Sequence, residues 1–346
     1  DCPATCCTLI NRQQIITHVS FLNPCPGLKR MVLYPGVRYH YTESTMSGRL
    51  TPESTSPDSL DTDILVIGGG INGAGIAADA AATSSSSTKL IPGGLRYLET
   101  WQFRLVRESL QEREVLLKSA PHIVWPMRFR LPHHPGLRPA WMIRAGLFLY
   151  DHLGKRVTLP ASHRIRFSAA DPLLAQYSKG FEYSDCWVDD ARLVVLNAMQ
   201  AATHGATILP RTRCTALKVS DVFGPAVGSW QATLRDEVSG DILTVNARCV
   251  VNAAGPWGSS VAGLPAADTQ VESVRLVKGS HIVVPRIHAG DEAYLLQSGD
   301  GRVVFVIPYE DDFSLIGTTE QEYTGDPALA EISAEEKIYL CDVVNQ

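Results

Sequence analysis

The sequence predicts an α/β fold: a Rossmann-like nucleotide-binding domain joined to a second domain. Three observations carry that prediction. The run DILVIGGG from Asp63 is an apolar strand that ends in glycine. Gly68, Gly70 and Gly73 then satisfy G-x-G-x-x-G, and an alanine-rich stretch follows them. The chain has 346 residues, 45% hydrophobic and 19% charged, which suffices for two intimately joined globular domains.

The strand comes first. Ile64, Leu65, Val66 and Ile67 have the side chains of a parallel strand buried on both faces. At the turn, the first glycine permits the sharp bend. The second lets a pyrophosphate approach the backbone, and the third lets helix and strand pack closely. Asn72 to Ala82 reads as the following helix, with its N-terminal N–H groups facing the phosphates. Gly68, Gly70, Ile71, Asn72 and Gly73 are therefore candidate cofactor-binding residues. One part is missing. The pattern asks for an acidic residue about 20 positions on, at the tip of a second strand. The span from Gly73 to Thr83 is too short for helix, turn and returning strand. The sheet is expected to lack the strand that pairs beside the first.

Composition narrows the function. Lys and Arg number 31 against 36 Asp and Glu, a net charge of -5, which argues against a nucleic-acid binder. No apolar run reaches the roughly 20 residues of a spanning helix, and surface attachment to a membrane stays open. Of the 8 cysteines, Cys2, Cys6, Cys7 and Cys25 crowd the start without metal-site spacing. Cys186, Cys214, Cys249 and Cys341 read as buried thiols. Residues 1–60 form an irregular N-terminal extension without clear period. Within it SGRLTPESTSPDSLD is a linker, and Arg12, Lys29, Arg30 and Arg38 allow a targeting role.

Beyond Thr83 come TSSSSTKLIPGGLRYLE, FRLVRESLQEREVLLKSAPH, PMRFRLPHHPGLRPAWMIRAGLFLYDHLGKR, GFEYSDCWVDDARLV, VNAAGPW, RLVKGSHIVVPR and VVFVIPYEDDFSLIGTTEQEYTGDP. Together and in this order they closely resemble the FAD-dependent, quinone-linked glycerol-3-phosphate dehydrogenases of the bacterial aerobic and mitochondrial type, over about residues 62 to 346. The resemblance implies an FAD-binding Rossmann-like domain of the glutathione-reductase/D-amino-acid-oxidase type. It is interleaved with a mixed, largely antiparallel substrate domain. The family oxidises sn-glycerol 3-phosphate to dihydroxyacetone phosphate and passes electrons to membrane quinone. Its members sit on the inner face of the bacterial cytoplasmic membrane or on the mitochondrial inner membrane, and a homodimer is conceivable. This chain departs from the family in three ways. The segment holding the second strand and its ribose-binding Glu is missing. Pro92 stands where the family has His. The chain begins at Asp1 and stops at Gln346, ahead of further family motifs, and so reads as an incomplete copy.

Oxidising a secondary alcohol requires a hydride acceptor, a base for the hydroxyl proton and donors for the phosphate. An imidazole titrates near neutrality, which makes His281 in KGSHIVV the candidate for the base or for orienting the substrate hydroxyl. From the residues alone it reads equally as a buried strand histidine; the match favours the catalytic role. Lys278 is a candidate phosphate ligand or a surface lysine. Arg96 and Tyr97 match positions lining the family's substrate pocket. Thr83, Ser84, Ser87 and Gly93 match the flavin-contacting loop, and Ala254 and Gly255 the turn under the flavin. Arg213 and Thr215 match a strand meeting the adenine half. No metal is implied. Asp185, Asp189, Asp190 and Arg192 read as helix N-terminal carboxylates and structural pairs. His133 and His134 read as a loop. WMIRAGLFLYDHLG from Trp141 reads as a core helix, with membrane contact as the alternative.

The expected FAD-binding domain is 62–100 plus 190–260 and the substrate domain 101–189 plus 261–335. From 336 a further region begins, on a helix starting near Ser333 with Glu335 and Glu336 in its first turn. Two rival readings remain. One is an oxidoreductase of the same fold acting on an amine or amino acid. The other is a truncated, non-catalytic relative.

Overall fold

The computed structural model describes residues 59–76, 87–224, 229–264 and 275–346, together with the backbone of 8–14 and 20–21. Thr83 and Ser84, and most of the N-terminal extension, lie outside these residues. The elements begin with β1 (Thr8–Gln14), β2 (Ser20–Phe21), β3 (Ser59–Ile67), α1 (Ile71–Ile76) and β4 (Leu90–Ile91). A 3-10 helix (Leu95–Thr100) leads to α2 (Phe103–Ser119), β5 (Val124–His133), α3 (Ala140–Leu153), β6 (His163–Arg166) and β7 (Lys179–Val188). Then come α4 (Asp190–Thr203), β8 (Thr212–Ser220), β9 (Ser229–Asp236), β10 (Ile242–Asn252) and α5 (Gly258–Ala262). The chain ends with β11 (Leu276–Pro285), β12 (Ala293–Gln297), β13 (Val303–Tyr309), β14 (Phe313–Gly317), β15 (Gln321–Tyr323) and α6 (Ala334–Asn345). The polar strand β1 carries no apolar alternation. It is defined by backbone pairing on the edge of β11, which a side-chain pattern does not signal.

Two compact units result: Asp1–Gln14, Ser86–Asp190 and Val277–Gln346 form one, and Ile15–Ser85 and Ala191–Leu276 the other. The divide differs from the sequence expectation, which kept 1–60 as a separate extension and Asp190 in the FAD-binding domain, and it differs further along the chain. Residues 86–100 join the expected substrate side, because β4 pairs with β7 and Leu95 and Leu98 pack on that unit's core. Residues 261–276 stay with the nucleotide side. Residues 336–346 belong to the first unit, because α6 packs on its sheet.

The first unit holds a mixed sheet in the order β1-β11-β14-β13-β12-β5-β7-β4, with β15 on β11 and β6 on β7. Along that order the pairings are antiparallel apart from β12 with β5, the largely antiparallel sheet expected. Strand alternation sends successive side chains to opposite faces. On one face Val283, Leu315, Ile307, Phe129, Leu131, Phe181 and Tyr183 pack with Val106 and Leu110 of α2 and Leu147 and Tyr150 of α3. On the other face Ile282, Val284, Ile316, Val304 and Val306 pack with Leu340 and Val343 of α6.

In the second unit β3 runs parallel to β10 in a register that ends with Ile67 opposite Asn252. The antiparallel strands β9 and β8 continue the sheet on the far side of β10. Val245, Ala247 and Val250 of β10 pack with Trp230, Ala232 and Leu234 of β9. Ile64 to Ile67 are half-buried, not buried on both faces as their composition predicts. Among the described residues β3 pairs with β10 alone, which leaves its other edge without a described neighbour strand.

Helix α6 is held at its start by a capping box. Ser333 Oγ accepts from the Glu336 N–H (3.2 Å), and Glu336 Oε2 accepts from the Ser333 N–H (2.8 Å). The same carboxylate meets Lys278 Nζ at 2.8 Å and accepts from Ser280 Oγ (3.0 Å) and Thr319 Oγ1 (2.5 Å). Burial would raise the Glu336 pKa. Lys278, the Ser333 N–H and the two hydroxyls outweigh it and hold the carboxyl below its ordinary range. A depressed folded-state pKa contributes stability above the unfolded value of about 4.3 and loses it as pH falls through the folded value. Glu336→Gln is expected to lower stability at neutral pH by on the order of 3 kcal/mol, since it strands a buried lysine. It should also flatten the acid limb below about pH 4.3. Melting temperature against pH for both proteins checks this; parallel acid limbs would refute it.

Candidate functional site

Two groups of residues, one in each unit, carry chemistry. In the second unit β3 and β10 end side by side, and each runs into a turn of small residues. Gly68 adopts φ +110, and a Cβ there would lie 2.3 Å from the Ala253 carbonyl oxygen. A Cβ on Gly73 would lie 1.7 Å from the Gly68 carbonyl oxygen. Neither position admits a side chain, because backbone meets backbone at both. The Ala253 N–H donates to the Ile67 carbonyl (2.7 Å), and the Ala74 N–H to that of Gly70 (2.8 Å), which closes the first helical turn. Asn252 braces the second turn: its Oδ1 accepts from the Ala254 N–H (3.2 Å) and its Nδ2 donates to the Gly258 carbonyl (2.8 Å). Ile71 and Asn72 are exposed at the helix start, and nothing lies within 4 Å of the space a Gly255 Cβ would take. Adjacent glycine turns at the carboxyl ends of parallel strands are where such sheets bind nucleotides. These residues fit the pyrophosphate of a dinucleotide such as FAD.

Arg213 and Thr215 are not part of that cradle. Both lie on β8, two strands away from β10 and three from β3, and Arg213 is level with Arg235, which faces Ile242 at the start of β10. The glycine turn is at the other end of β10, about 33 Å along the strand. Arg213 instead pairs with Glu237 (3.3 Å), and Thr215 Oγ1 donates to the Thr233 carbonyl (3.1 Å) beside a bulge.

In the first unit His281 is fully buried on β11, opposite Gly317 of β14. A Cβ on Gly317 would sit 2.1 Å from His281 Cδ2, so the missing side chain makes room for the imidazole. Lys278 cannot share this site. It is three residues from His281 on a strand and so points to the opposite face, toward α6. There its Nζ is held by Glu336 and by the Glu331 carbonyl (2.7 Å). The phosphate role assigned to it from sequence is thereby withdrawn.

Arg96 and Tyr97 lie on the 3-10 helix and are exposed. Arg96 Nη2 stands 3.6 Å from Glu320 Oε2, a few residues beyond Gly317. The imidazole and the guanidinium thus border the two ends of segment 317–320. An exposed ion pair of this length contributes little, so a phosphate can replace Glu320 as the partner of Arg96. Ser87 and Gly93 are engaged within this unit. Ser87 Oγ donates to Asp190 and accepts from the Lys89 N–H (2.9 Å), and the Gly93 N–H donates to Asp185 (2.8 Å).

Asp190 opens α4 and pairs with Lys89 at 2.7 Å, a structural pair as expected. Asp185 differs from its reading as a helix-terminal carboxylate. It is buried on β7 against Arg113 (2.6 Å). Nothing in the run SDCWVDD separates a strand aspartate from a helix-capping one; the partner is 72 residues away. Cys186 and Cys249 are buried, whereas Cys214 and Cys341 are half-buried. Burial pushes the Cys186 thiol up to about 12 and that of Cys214 to about 11, so neither is a thiolate nucleophile.

Comparison with known proteins agrees with this geometry. The family of FAD dependent oxidoreductases matches residues 63–346. Glycerol-3-phosphate dehydrogenase of Pseudomonas aeruginosa is 56% identical over 319 residues, covering 87% of this chain and 60% of that protein. D-erythritol 1-phosphate dehydrogenase of Brucella abortus is 52% identical over 305 residues, covering 82% of this chain and 59% of its own. The chain therefore spans about three-fifths of these relatives. Among solved structures, the glycerol-3-phosphate dehydrogenase from Bacillus halodurans complexed with FAD superposes with a TM-score of 0.60 at 26% identity, over 82% of this chain and 52% of that one. The glycine turn, the strand pairing beneath it and these similarities agree: the chain belongs to the family of FAD dependent oxidoreductases.

Proposed function

We propose that this chain acts in the FAD-dependent oxidation of sn-glycerol 3-phosphate to dihydroxyacetone phosphate. The observation that carries the reading is a buried imidazole against Gly317 and an exposed guanidinium paired with Glu320, at the two ends of segment 317–320. One can take a hydroxyl proton and the other can hold a phosphate dianion, the two demands of oxidising a phosphorylated secondary alcohol. The Gly68–Gly73 turn and Ala253 to Gly255 would hold FAD, which when bound would supply the hydride acceptor. Arg96 binds the phosphate and Tyr97 donates a hydrogen bond to the substrate. His281 accepts the proton of the reacting hydroxyl. The enclosure of its ring against Gly317 fixes its direction and limits competing water.

The similarity to a D-erythritol 1-phosphate dehydrogenase supports a second substrate of the same class, a longer polyol phosphate. Purified chain reconstituted with FAD is expected to show a flavin absorption band that bleaches on addition of glycerol 3-phosphate and not of glycine. Bleaching by erythritol 1-phosphate alone would reassign the substrate, and bleaching by glycine would move the chain to amine oxidation. Flavin that bleaches with none of the three would support a non-catalytic relative. Gly73→Ala, whose Cβ collides with the Gly68 carbonyl, should retain no flavin.

His281→Asn preserves ring-sized bulk and loses the base. Its rate of flavin reduction at neutral pH should fall by about 10²–10⁴-fold with flavin content unchanged. An undiminished rate would remove His281 from the chemistry.

The same reading sends the electrons to quinone and the protein to a membrane surface. No helix among the described residues is long and apolar enough to cross a membrane. What supports surface contact is α3, which buries Leu147 and Tyr150 and exposes Trp141, Met142, Phe148 and Leu149 along one stripe, with Arg138 just before it. The chain is expected to sediment with anionic phospholipid vesicles, and Trp141→Ser/Phe148→Ser to remain in solution. Equal sedimentation of both would exclude α3 as the contact.

A further inference from the structure

We infer that Asp185, clamped by Arg113 and Tyr150, is a positioning residue for the loop that presents Arg96 and Tyr97, acting through the backbone N–H of Gly93. One carboxylate oxygen gathers three donors from three elements. Asp185 Oδ1 accepts from Gly93 N (2.8 Å), Arg113 Nη1 of α2 (2.6 Å) and Tyr150 Oη of α3 (2.7 Å). Arg113 Nη1 also donates to the Ser184 carbonyl at 3.0 Å, so the guanidinium is fixed from the sheet as well as from its own helix.

Gly93 rests directly on this cluster. A Cβ there would lie 2.3 Å from Tyr150 Oη and 2.4 Å from Leu110 Cδ2. Gly94 follows in the left-handed region (φ 80) and starts the 3-10 helix, with Arg96 two residues further on. Upstream the loop is tied by the two-residue strand β4 and by the Lys89–Asp190 pair, both before Gly93. The direction in which Arg96 leaves the surface is therefore set by where Gly93 is pinned.

Stability is a poor reason for this cluster to exist. Arg113, Tyr150 and Asp185 are each 3% exposed and sit in the apolar core between the sheet and α2 and α3. Desolvating such an ion pair costs about what it returns, and apolar side chains of the same volume commonly serve the fold as well. An apolar core cannot hold a backbone N–H at a chosen point, and a carboxylate can. Burial, reinforced by the Asp185 charge, raises Tyr150 well above its ordinary pKa, so the phenol remains a donor to the carboxylate.

The catalytic consequence rests on the glycerol 3-phosphate reading above; the anchor does not. Two variants separate them: Tyr150→Phe, which removes one donor, and the apolar triple Arg113→Met/Tyr150→Phe/Asp185→Leu, which replaces the cluster. Amide hydrogen exchange, followed on the chain without substrate, is expected to quicken at Gly93 by about tenfold or more in the triple variant, and less in Tyr150→Phe. The amides of β11 should keep their protection. In FAD-reconstituted protein the triple variant should show a KM for glycerol 3-phosphate raised about tenfold or more, with flavin content and melting temperature near those of the parent. Unchanged exchange at Gly93 overturns the inference, as does an unchanged KM when Gly93 has lost its protection. Loss of protection throughout α2 and α3 also overturns it, by showing a structural role. A parent chain that never oxidises glycerol 3-phosphate removes that reading, and the exchange measurement then decides the anchor by itself.

Discussion

The two-residue period of β11 is the constraint on which the candidate substrate site depends. It points Ser280 and Ile282 toward α6, and His281 and Val283 toward α2 and α3. The imidazole consequently stands over Gly317 on the same face as the core that supports the Arg96 helix. The alternate residues spend their polarity on Glu336. A one-residue slip in β11 would exchange these sets and put Lys278 on the His281 face. The Glu336 network resists that slip, because Lys278, Ser280 and Thr319 all close on one carboxylate.

The nucleotide side depends on a second close approach. Gly68 and Gly73 are required by contacts between backbones, and only indirectly by any ligand. The two turns lie together because β3 and β10 are parallel and in register to their last residues. That pairing survives although β3 has no second neighbour among the described residues, which leaves Ile64 to Ile67 half-buried.

Much of this was legible from residues alone. The strand, the glycine turn and the small-residue turn NAAGPW announce themselves because each motif's geometry is local. Helix α6 begins where Ser333 and Glu336 mark it, since a capping box involves four consecutive residues. The failures share a cause. Lys278 and His281 are near in sequence but on opposite faces, and Arg213 is on the expected sheet but at its far end. Asp185 has its partner Arg113 on α2, 72 residues away. Each error came from assigning a place in space to a residue whose neighbours are set by sheet register.

What the sequence determined by itself was the family of the fold, the turn that suits a nucleotide and the residue types available for chemistry, because these follow from short-range sterics and from motif identity. The tertiary structure decided which of them meet. It took Lys278, Ser87 and Gly93 into internal bonds, joined Arg96 to the segment beside His281, and revealed Asp185 as the support beneath that loop. The physical reason is that hydrogen-bond satisfaction of buried polar groups is settled by partners tens of residues apart, and such pairings exist only once strands have found their register.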